Sequence, residues 1–448
     1  MTTPAPANPP ISVHTAASNG WPTARGGLPT ARGGLPVVVL RRPGPAILAA
    51  RLVIRGGSGA DPAGQCGAHQ LLAGLMTRGC GDLDATALAE RVEGAGAALR
   101  AEAHEDALVI GLKCAAGDVD ELLPLLPAMV RRPRLEPDQL DLERQLNLQA
   151  LQRQREDPFQ MAHDLLRRQL YGTGPYGHDP LGLESDLEGL DATGLSPLVG
   201  DLGHQGAVLV LCGDAPERAL ELIDAALEEP WPTSLPGAAR QLELQPQAPP
   251  SLAFEEEDTE QLVLMLGCAT LPMGHADSVS LRLLQAHLGL GMSSRLFTVM
   301  REERGLAYDV GVHLPARSGA APFVMHLSTS ADRAAEATSC LLAEWRRLRD
   351  QPLSDRELEL ALAKFRGQDA MGRQTCSQIA ERQALVLSQG LPADHVDQAL
   401  ARAAQLRPAD LQLAAQRWLR QPQLSLVGPA DAIAAAESAW QADPLSSR

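Results

Sequence analysis

Aromatic side chains are scarce: Phe, Trp and Tyr make up 3% of the 448 residues. The core cannot be built around rings, so Leu, Ala and Val must fill it. No uncharged run approaches the ~18 apolar residues that a bilayer crossing needs, so no transmembrane helix is expected. Basic charge is also short, with 39 Lys and Arg against 55 Asp and Glu, a formal net charge of −16. A general nucleic-acid binder needs a basic face, and this balance argues against one. The acidity suits solubility and is compatible with handling basic peptides. Seven cysteines are scattered without a Cys-x-x-Cys pair, which argues against a zinc ribbon. An odd count with no framework points to a reducing compartment or to buried free thiols. The opening residues, Met1-Thr-Thr-Pro-Ala-Pro-Ala-Asn-Pro-Pro10, have neither a basic n-region nor an apolar h-region. No secretory signal is visible there, and the expected compartment is the cytoplasm, with the periplasm left open.

What is present reads as globular. Apolar residues reach 45%, enough for sizeable cores, and the length suggests two to four domains. Residues 1–34 form a Pro/Ala/Asn-rich segment expected to be mobile, and they carry most of an exact tandem duplication. The copies are Pro22-Thr-Ala-Arg-Gly-Gly-Leu28 and Pro29-Thr-Ala-Arg-Gly-Gly-Leu35. Two copies are too few for a solenoid, and the duplication reads as a lengthened entry loop.

From residue 35 the pattern becomes structural. Strands are expected at Pro36–Arg41, Ala46–Arg55, Ala98–His104, Ala107–Lys113 and Ala207–Cys212. Helices are expected at Gly67–Met76, Asp84–Ala95 and Val119–Arg131. Pro137–Leu170 reads as long helix broken near Asp157-Pro158. Residues 230–250 shift to Pro, Gln and Ser and read as a linker. The order of elements then recurs. Strands are expected at Gln261–Cys268, Ala307–His313, Phe323–Ser328 and Leu424–Val427. Helices are expected at Ala276–Leu288, Ser294–Glu303, Arg333–Leu348, from a capping box at Ser354-x-x-Glu357, at Gln378–Ser388 and at Pro408–Leu419. The fold class is therefore α+β. Two similar units, 35–229 and 251–432, would each lay helices on one face of a mostly antiparallel sheet, with residues 433–448 as a tail.

Several fragments, taken in order, resemble one family. Gly34-Leu-Pro-Val-Val-Val through Leu52-Val-Ile-Arg-Gly-Gly-Ser58 looks like the opening hairpin of M16 (pitrilysin-type, inverzincin) metallopeptidases. Gly67-Ala-His-Gln-Leu-Leu-Ala-Gly-Leu-Met-Thr-Arg-Gly-Cys80 stands where that family carries its motif helix. Leu170-Tyr-Gly172 and Tyr176-Gly-His-Asp-Pro-Leu-Gly182 resemble its long-helix region. Gly289-Leu-Gly-Met-Ser-Ser-Arg-Leu-Phe297 and Met300-Arg-Glu-Glu-Arg-Gly-Leu-Ala-Tyr308 resemble its C-terminal signature. The resemblance covers about residues 35–430, and it implies two homologous α/β-roll domains.

The resemblance also locates what is missing. The family's His-x-x-Glu-His sets two zinc ligands and a general base on one helical face. Anchored on Arg78-Gly79, those positions hold Gln70, Ala73 and Gly74. The third ligand, a Glu in the long helix, falls at Ala150, and a supporting Glu persists as Glu143. Gln70 alone cannot hold zinc, so neither metal nor cofactor is expected in this chain. A one-residue shift to His69 supplies no base and no second ligand, and that side chain would point about 100° away. His69 reads as a structural or surface histidine, His104-Glu105-Asp106 as a solvated charged bend, and His178-Asp179-Pro180 as a turn.

The C-terminal signature is intact. In the family an Arg and a Tyr seven residues apart reach the zinc site from the second half, and here they match Arg301 and Tyr308. A guanidinium and a phenol are suitable donors for a developing oxyanion and a peptide backbone. The competing reading is a surface Arg in a salt bridge and a Tyr that starts a core strand. Asp258-Thr-Glu-Gln261 resembles the edge of a strand that could pair with extended substrate, and reads equally as an ordinary edge strand.

The resemblance thus implies a non-catalytic subunit of a heteromeric peptidase. It would complete a peptide-binding chamber and donate Arg301 and Tyr308 in trans to a partner with intact His-x-x-Glu-His and zinc. The alternative is a scaffold or binding subunit with no share in catalysis.

Overall fold

A computed structural model of the chain describes residues 34–214, 218–227, 229–232 and 249–447. The N-terminal segment up to residue 33 and most of the Pro-rich linker lie outside the described residues.

Among the described residues ten strands form two five-stranded sheets. The first contains β1 (Val37–Arg41), β2 (Ile47–Arg55), β3 (Ala98–Ala103), β4 (Ala107–Ala115) and β5 (Ala207–Gly213). The second contains β6 (Leu252–Glu256), β7 (Gln261–Ala269), β8 (Asp309–His313), β9 (Pro322–Ser330) and β10 (Gln423–Gly428). Their orders, β1-β5-β2-β4-β3 and β6-β10-β7-β9-β8, are the same pattern twice. In each sheet the first and last strands in sequence pair parallel and every other pair is antiparallel. The recurrence seen in sequence is therefore a repeat of topology, in two α+β halves.

The scarcity of rings has the expected consequence. The first core cluster is almost wholly aliphatic, with Leu48, Leu52, Ile54, Leu71, Leu72 and Leu75 fully buried. Helices of the same half cover one face of each sheet. The other face is covered by a helix from the opposite half, which sequence patterning did not indicate. The helix Cys376–Ser388 sets Cys376, Ala380, Ala384 and Leu387 against Val38, Ala49, Val53, Val208 and Val210 of the first sheet. The helix Pro158–Tyr171 sets Met161, Ala162 and Leu166 against Val263, Met265, Val324 and Val427 of the second. This exchange of helices locks the halves together through apolar burial.

Local rules place those helices. The long helical pattern ends at Arg155 and restarts at Pro158. Asp157 accepts the Phe159 N–H at 2.9 Å and caps the second helix, and Pro158 takes a first-turn position where its missing N–H costs nothing. The capping box at Ser354 and Glu357 is formed in both directions.

Elsewhere the structure corrects the sequence reading. Val119–Arg131 is two helices, Val119–Leu122 and Leu125–Arg131, split around Pro124. Strand β6 was not anticipated, and its acidic, exposed residues explain why. Because β7 pairs with β10 on one side and β9 on the other, Asp258–Gln261 does not lead into an edge strand. The expected tail from residue 433 falls within the helix Ala430–Gln441, whose Ala432, Ile433, Ala436 and Trp440 enter the second core.

At the bend His104-Glu105-Asp106 only His104 is exposed, and the two carboxylates are not free in solvent. Gly57 adopts φ 62, where a Cβ would meet the His104 carbonyl oxygen at 2.0 Å. That close approach lets Ser58 and Gly59 donate backbone N–H groups to the carbonyls of His104 and Glu105, at 3.0 and 2.9 Å. The bend is thereby presented to the second half. Glu105 forms a two-pronged ion pair with Arg317, and Asp106 accepts the Ser318 N–H at 2.8 Å and the Ser318 hydroxyl. The Tyr176 hydroxyl donates to Asp106 at 2.6 Å and accepts the Gly319 N–H at 2.9 Å. Tyr171 donates to the Ala320 carbonyl. Two of the chain's three tyrosines thus join the halves.

Candidate functional site

The motif helix, Ala68–Met76, starts from Gly67 in the left-handed region. Its N-terminus is fixed by Asp61, a carboxylate the sequence reading did not single out. Asp61 accepts the Gly67 N–H at 2.7 Å and the His69 N–H at 3.0 Å, and it meets His69 Nδ1 at 2.6 Å. His178 Nε2 lies 3.7 Å away. Burial, the largest effect, pushes the Asp61 carboxyl up, but His178, His69 and the Gly67 N–H together hold it below its ordinary value. His69 is therefore buried and structural, and His178 shares its partner.

The positions of the missing motif have local roles. Gln70 Oε1 accepts the Ala103 N–H at 3.1 Å, at the end of edge strand β3. Ala73 is fully buried in the first core. At Gly74 a Cβ would lie 2.3 Å from Glu143 Oε2, so the Glu143 carboxylate stands where any side chain at 74 would begin. Glu143 is 9% exposed, and its Oε1 accepts from Arg78 Nε at 2.6 Å. The carboxylate that persists on the long helix Pro137–Arg155 is thus committed to an arginine. One turn on, Asn147 is buried and its Nδ2 has no partner. Ala150 follows, half-buried.

Zinc does not fit this donor set. Gln70 is a neutral amide already hydrogen-bonded, Ala73, Gly74 and Ala150 offer no ligand, and Glu143 is neutralised. Among the described residues no three His, Cys, Asp or Glu side chains are placed to share a metal ion.

The second half carries the other element. After the helix Ser278–Gly289 the chain forms a wide-turned π-helix, Phe297–Glu303. It closes through Gly305, at φ 59, and Leu306 then donates its N–H back to Met300. That reversal sets Arg301 against Tyr308, immediately before β8. The Arg301 guanidinium carbon is 4.9 Å from the centroid of the Tyr308 ring and 4.9 Å from that of Phe297. Arg301 Nη1 donates to the Tyr308 carbonyl at 3.1 Å. Tyr308 is 79% exposed, and its hydroxyl has no partner among the described residues. Arg301 has no carboxylate partner among them. Of the competing reading, the salt bridge is not formed among the described residues, while Tyr308 does lead into β8 although its own ring is exposed.

Strands β3 and β8 are the corresponding outer edges of the two sheets. Gln70 contacts the first edge, and Tyr308 leads into the second. The structure brings Arg301 to Tyr308 and Gly74 to Glu143, each pair within one half.

A duplicated sheet topology, a motif helix against a long helix, and an Arg/Tyr turn at the second edge define an M16-type chain. Two models of that family match in succession: "Insulinase (Peptidase family M16)" over residues 37–182 and "Peptidase M16 inactive domain" over residues 204–365. The chain belongs to the M16 peptidase family.

Its relatives include an uncharacterized zinc protease of Streptomyces coelicolor, 23% identical over 375 residues, covering 81% of each chain. Another, from Bacillus subtilis, is 22% identical over 303 residues, covering 67% of this chain and 73% of that one. Among solved structures, a peptidase M16 inactive domain from Pseudomonas fluorescens superimposes with a TM-score of 0.81 at 22% identity. It covers 90% of this chain and 97% of its own. A protease from Helicobacter pylori gives a TM-score of 0.80 at 19% identity, over 89% of this chain and 98% of its own. At these identities the structures establish the fold.

Proposed function

We propose that this chain is the non-catalytic subunit of a heteromeric M16 metallopeptidase. It completes a peptide-binding chamber and donates Arg301 and Tyr308 in trans to a zinc-bearing partner with an intact His-x-x-Glu-His. One observation carries this reading. An exposed phenol and a half-buried guanidinium with no carboxylate partner among the described residues, both donors suited to a peptide carbonyl or an oxyanion, stand together beside an edge strand. A guanidinium and a phenol held this way stabilise developing negative charge without reorganising. The chain's own motif region offers no metal and no base, so the water and its activation fall to the partner. The zinc-protease names of the relatives support the setting. A cytoplasmic location belongs to the same proposal; among the described residues no helix is long and apolar enough to cross a membrane.

The test is co-expression with an M16 chain that keeps the motif, followed by co-purification and peptide hydrolysis. The expected result is a stable complex, active only with both chains. Arg301→Ala with Tyr308→Phe should leave assembly intact and lower kcat/KM by about 10²–10³. If the complex forms and the double variant is fully active, the chain is a scaffold with no share in catalysis. A lone chain that binds one zinc and cleaves peptides overturns the proposal outright.

A further inference from the structure

A cavity of about 80 Å³ opens at the junction of the two halves, lined by Arg55, Asp106, Tyr176, Gln205, Ser318 and Gln389 among others. It is distinct from the motif helix residues and from the Arg301/Tyr308 turn. Its hydrogen-bonding capacity is unbalanced, and the imbalance has a sign.

The carboxylate acceptors are already used. Glu105 is paired with Arg317 through both oxygens. Asp106 receives the Tyr176 hydroxyl, the Ser318 hydroxyl and the Ser318 N–H. The donors are in surplus. Arg55, at the end of β2, donates Nε to the Ser388 carbonyl, at the C-terminal end of the helix Cys376–Ser388. That bond caps a helix end, which is a sufficient structural reason for a cation there. It uses one of the five N–H groups of a guanidinium, however. Among the described residues no carboxylate pairs with Arg55, and burial alone lowers its pKa. From the other half Gln389 brings Nε2, fully buried and without a partner. The Nη edge of a half-buried cation and an orphaned amide nitrogen therefore line one small space, and no hydrogen bond uses either among the described residues.

We propose that this cavity binds a monocarboxylate, with the Nη edge of Arg55 taking both oxygens and Gln389 Nε2 donating to one of them. A planar two-oxygen anion matches the guanidinium fork. A single negative charge is favoured over a phosphate dianion, because Glu105 and Asp106 flank the same space. The remaining walls, Gly56, Gly59, Ala60 and Pro175, leave room for a small apolar substituent. The carboxylate can be a peptide C-terminus or a free small acid, and the experiment separates the two.

Binding is measured by calorimetry on the isolated full chain, so the result does not depend on a partner or on peptidase activity. The probes are N-acetyl-alanyl-alanine, its C-terminal amide, sodium acetate and inorganic phosphate. The free-acid dipeptide should bind and its amide should not. Acetate binding as well as the dipeptide identifies free acids as ligands, and acetate binding far more weakly identifies C-termini; both outcomes support the site. Arg55→Met should weaken binding by at least about tenfold, and Gln389→Met by a few-fold. Because Arg55 also caps a helix, Arg55→Lys provides a second reading: it keeps the charge but loses the fork, and it too should bind about tenfold more weakly. Equal binding of acid and amide, unchanged affinity in Arg55→Lys and Gln389→Met, tighter binding of phosphate, or no binding by any carboxylate would each overturn the proposal.

Discussion

Gly74 shows how a single side chain can close a metal site. A glycine inside a helix costs about 1 kcal/mol relative to alanine, so its presence needs a local reason. The reason here is Glu143, whose carboxylate lies 2.3 Å from the position a Cβ would take while it pairs with Arg78. Gly74→Ala would gain helix propensity but push the carboxylate away from Arg78. The carboxylate is the flexible end of its side chain, so it can move, at the expense of a charge-assisted hydrogen bond. The two effects are of similar size, and the single substitution should change stability by less than about 0.5 kcal/mol. In a Glu143→Ala background only the propensity gain remains, and the same change should stabilise by about 1 kcal/mol. Urea unfolding of the four proteins of this cycle measures the coupling. Additive behaviour would mean that Glu143 does not occupy the space at position 74. The same contact makes restoring a histidine at 74 more than a one-residue repair, because Glu143 must first be displaced.

Secondary-structure elements were more legible than their partners. Strands and most helices follow from alternation, caps and prolines: Asp157-Pro158 splits the long helix as anticipated, and Asp84 caps its helix through the Ala87 N–H at 2.8 Å. The degenerate motif and the Arg301/Tyr308 pair were legible through the family resemblance, since neither run by itself carries a chemical signal; the structure adds that Arg301 and Tyr308 lie together. The cross-covering helices were not legible, because an apolar stripe does not say which sheet it will meet. Arg78–Glu143 and Glu105–Arg317, 65 and 212 residues apart, left no sequence signal for the same reason. The element scale makes its own prediction at Ala380 and Ala384. These fully buried alanines, one turn apart, allow the helix Cys376–Ser388 to lie close on the first sheet. Ala380→Leu keeps the side chain apolar but has no space to fill, and it should destabilise by about 1–3 kcal/mol. Glu381→Leu, next along the helix but exposed, serves as the control and should fall within about 0.5 kcal/mol. Equal effects at the two positions would contradict the cross-covering packing.

For the molecule as a whole, the junction between the halves is one place where acid should act, alongside the buried His287 of the second half, which burial also lowers to about 4. His163, on the helix that crosses to the second sheet, lies edge-on to His313 of β8 with ring centroids 5.7 Å apart. Arg167 Nη2 donates to His163 Nδ1 at 3.2 Å, which requires a neutral ring with that nitrogen as acceptor. Burial, and then the Arg167 charge, lower His163 to about 3. Burial, and then Arg317, lower His313 to about 4. Glu105 favours the charged form of both rings but does not outweigh burial and the two arginines. The neighbouring His326, which meets Phe159 edge-on, is also lowered by burial. Each ring thus titrates lower in the folded protein than the ordinary value of 6.5. Between that value and the depressed one the unfolded chain binds more protons, so stability falls as pH falls. The loss begins near pH 6.5, levels off near 3 to 4, and is absent above 6.5. Glu105 adds to it only at lower pH, because its depressed carboxyl contributes stability above about 4.5 and loses it on further acidification. Each histidine should contribute a slope of about 1.4 kcal/mol per pH unit within its window. Urea midpoints at pH 7.5, 6.5, 5.5 and 4.5 should therefore hold steady across the first interval and drop across the next two. His313→Gln, which cannot titrate, should reduce the slope by about one proton's worth. A flat profile from 6.5 to 4.5, or an unchanged slope in His313→Gln, would mean that these rings are not held neutral between the halves.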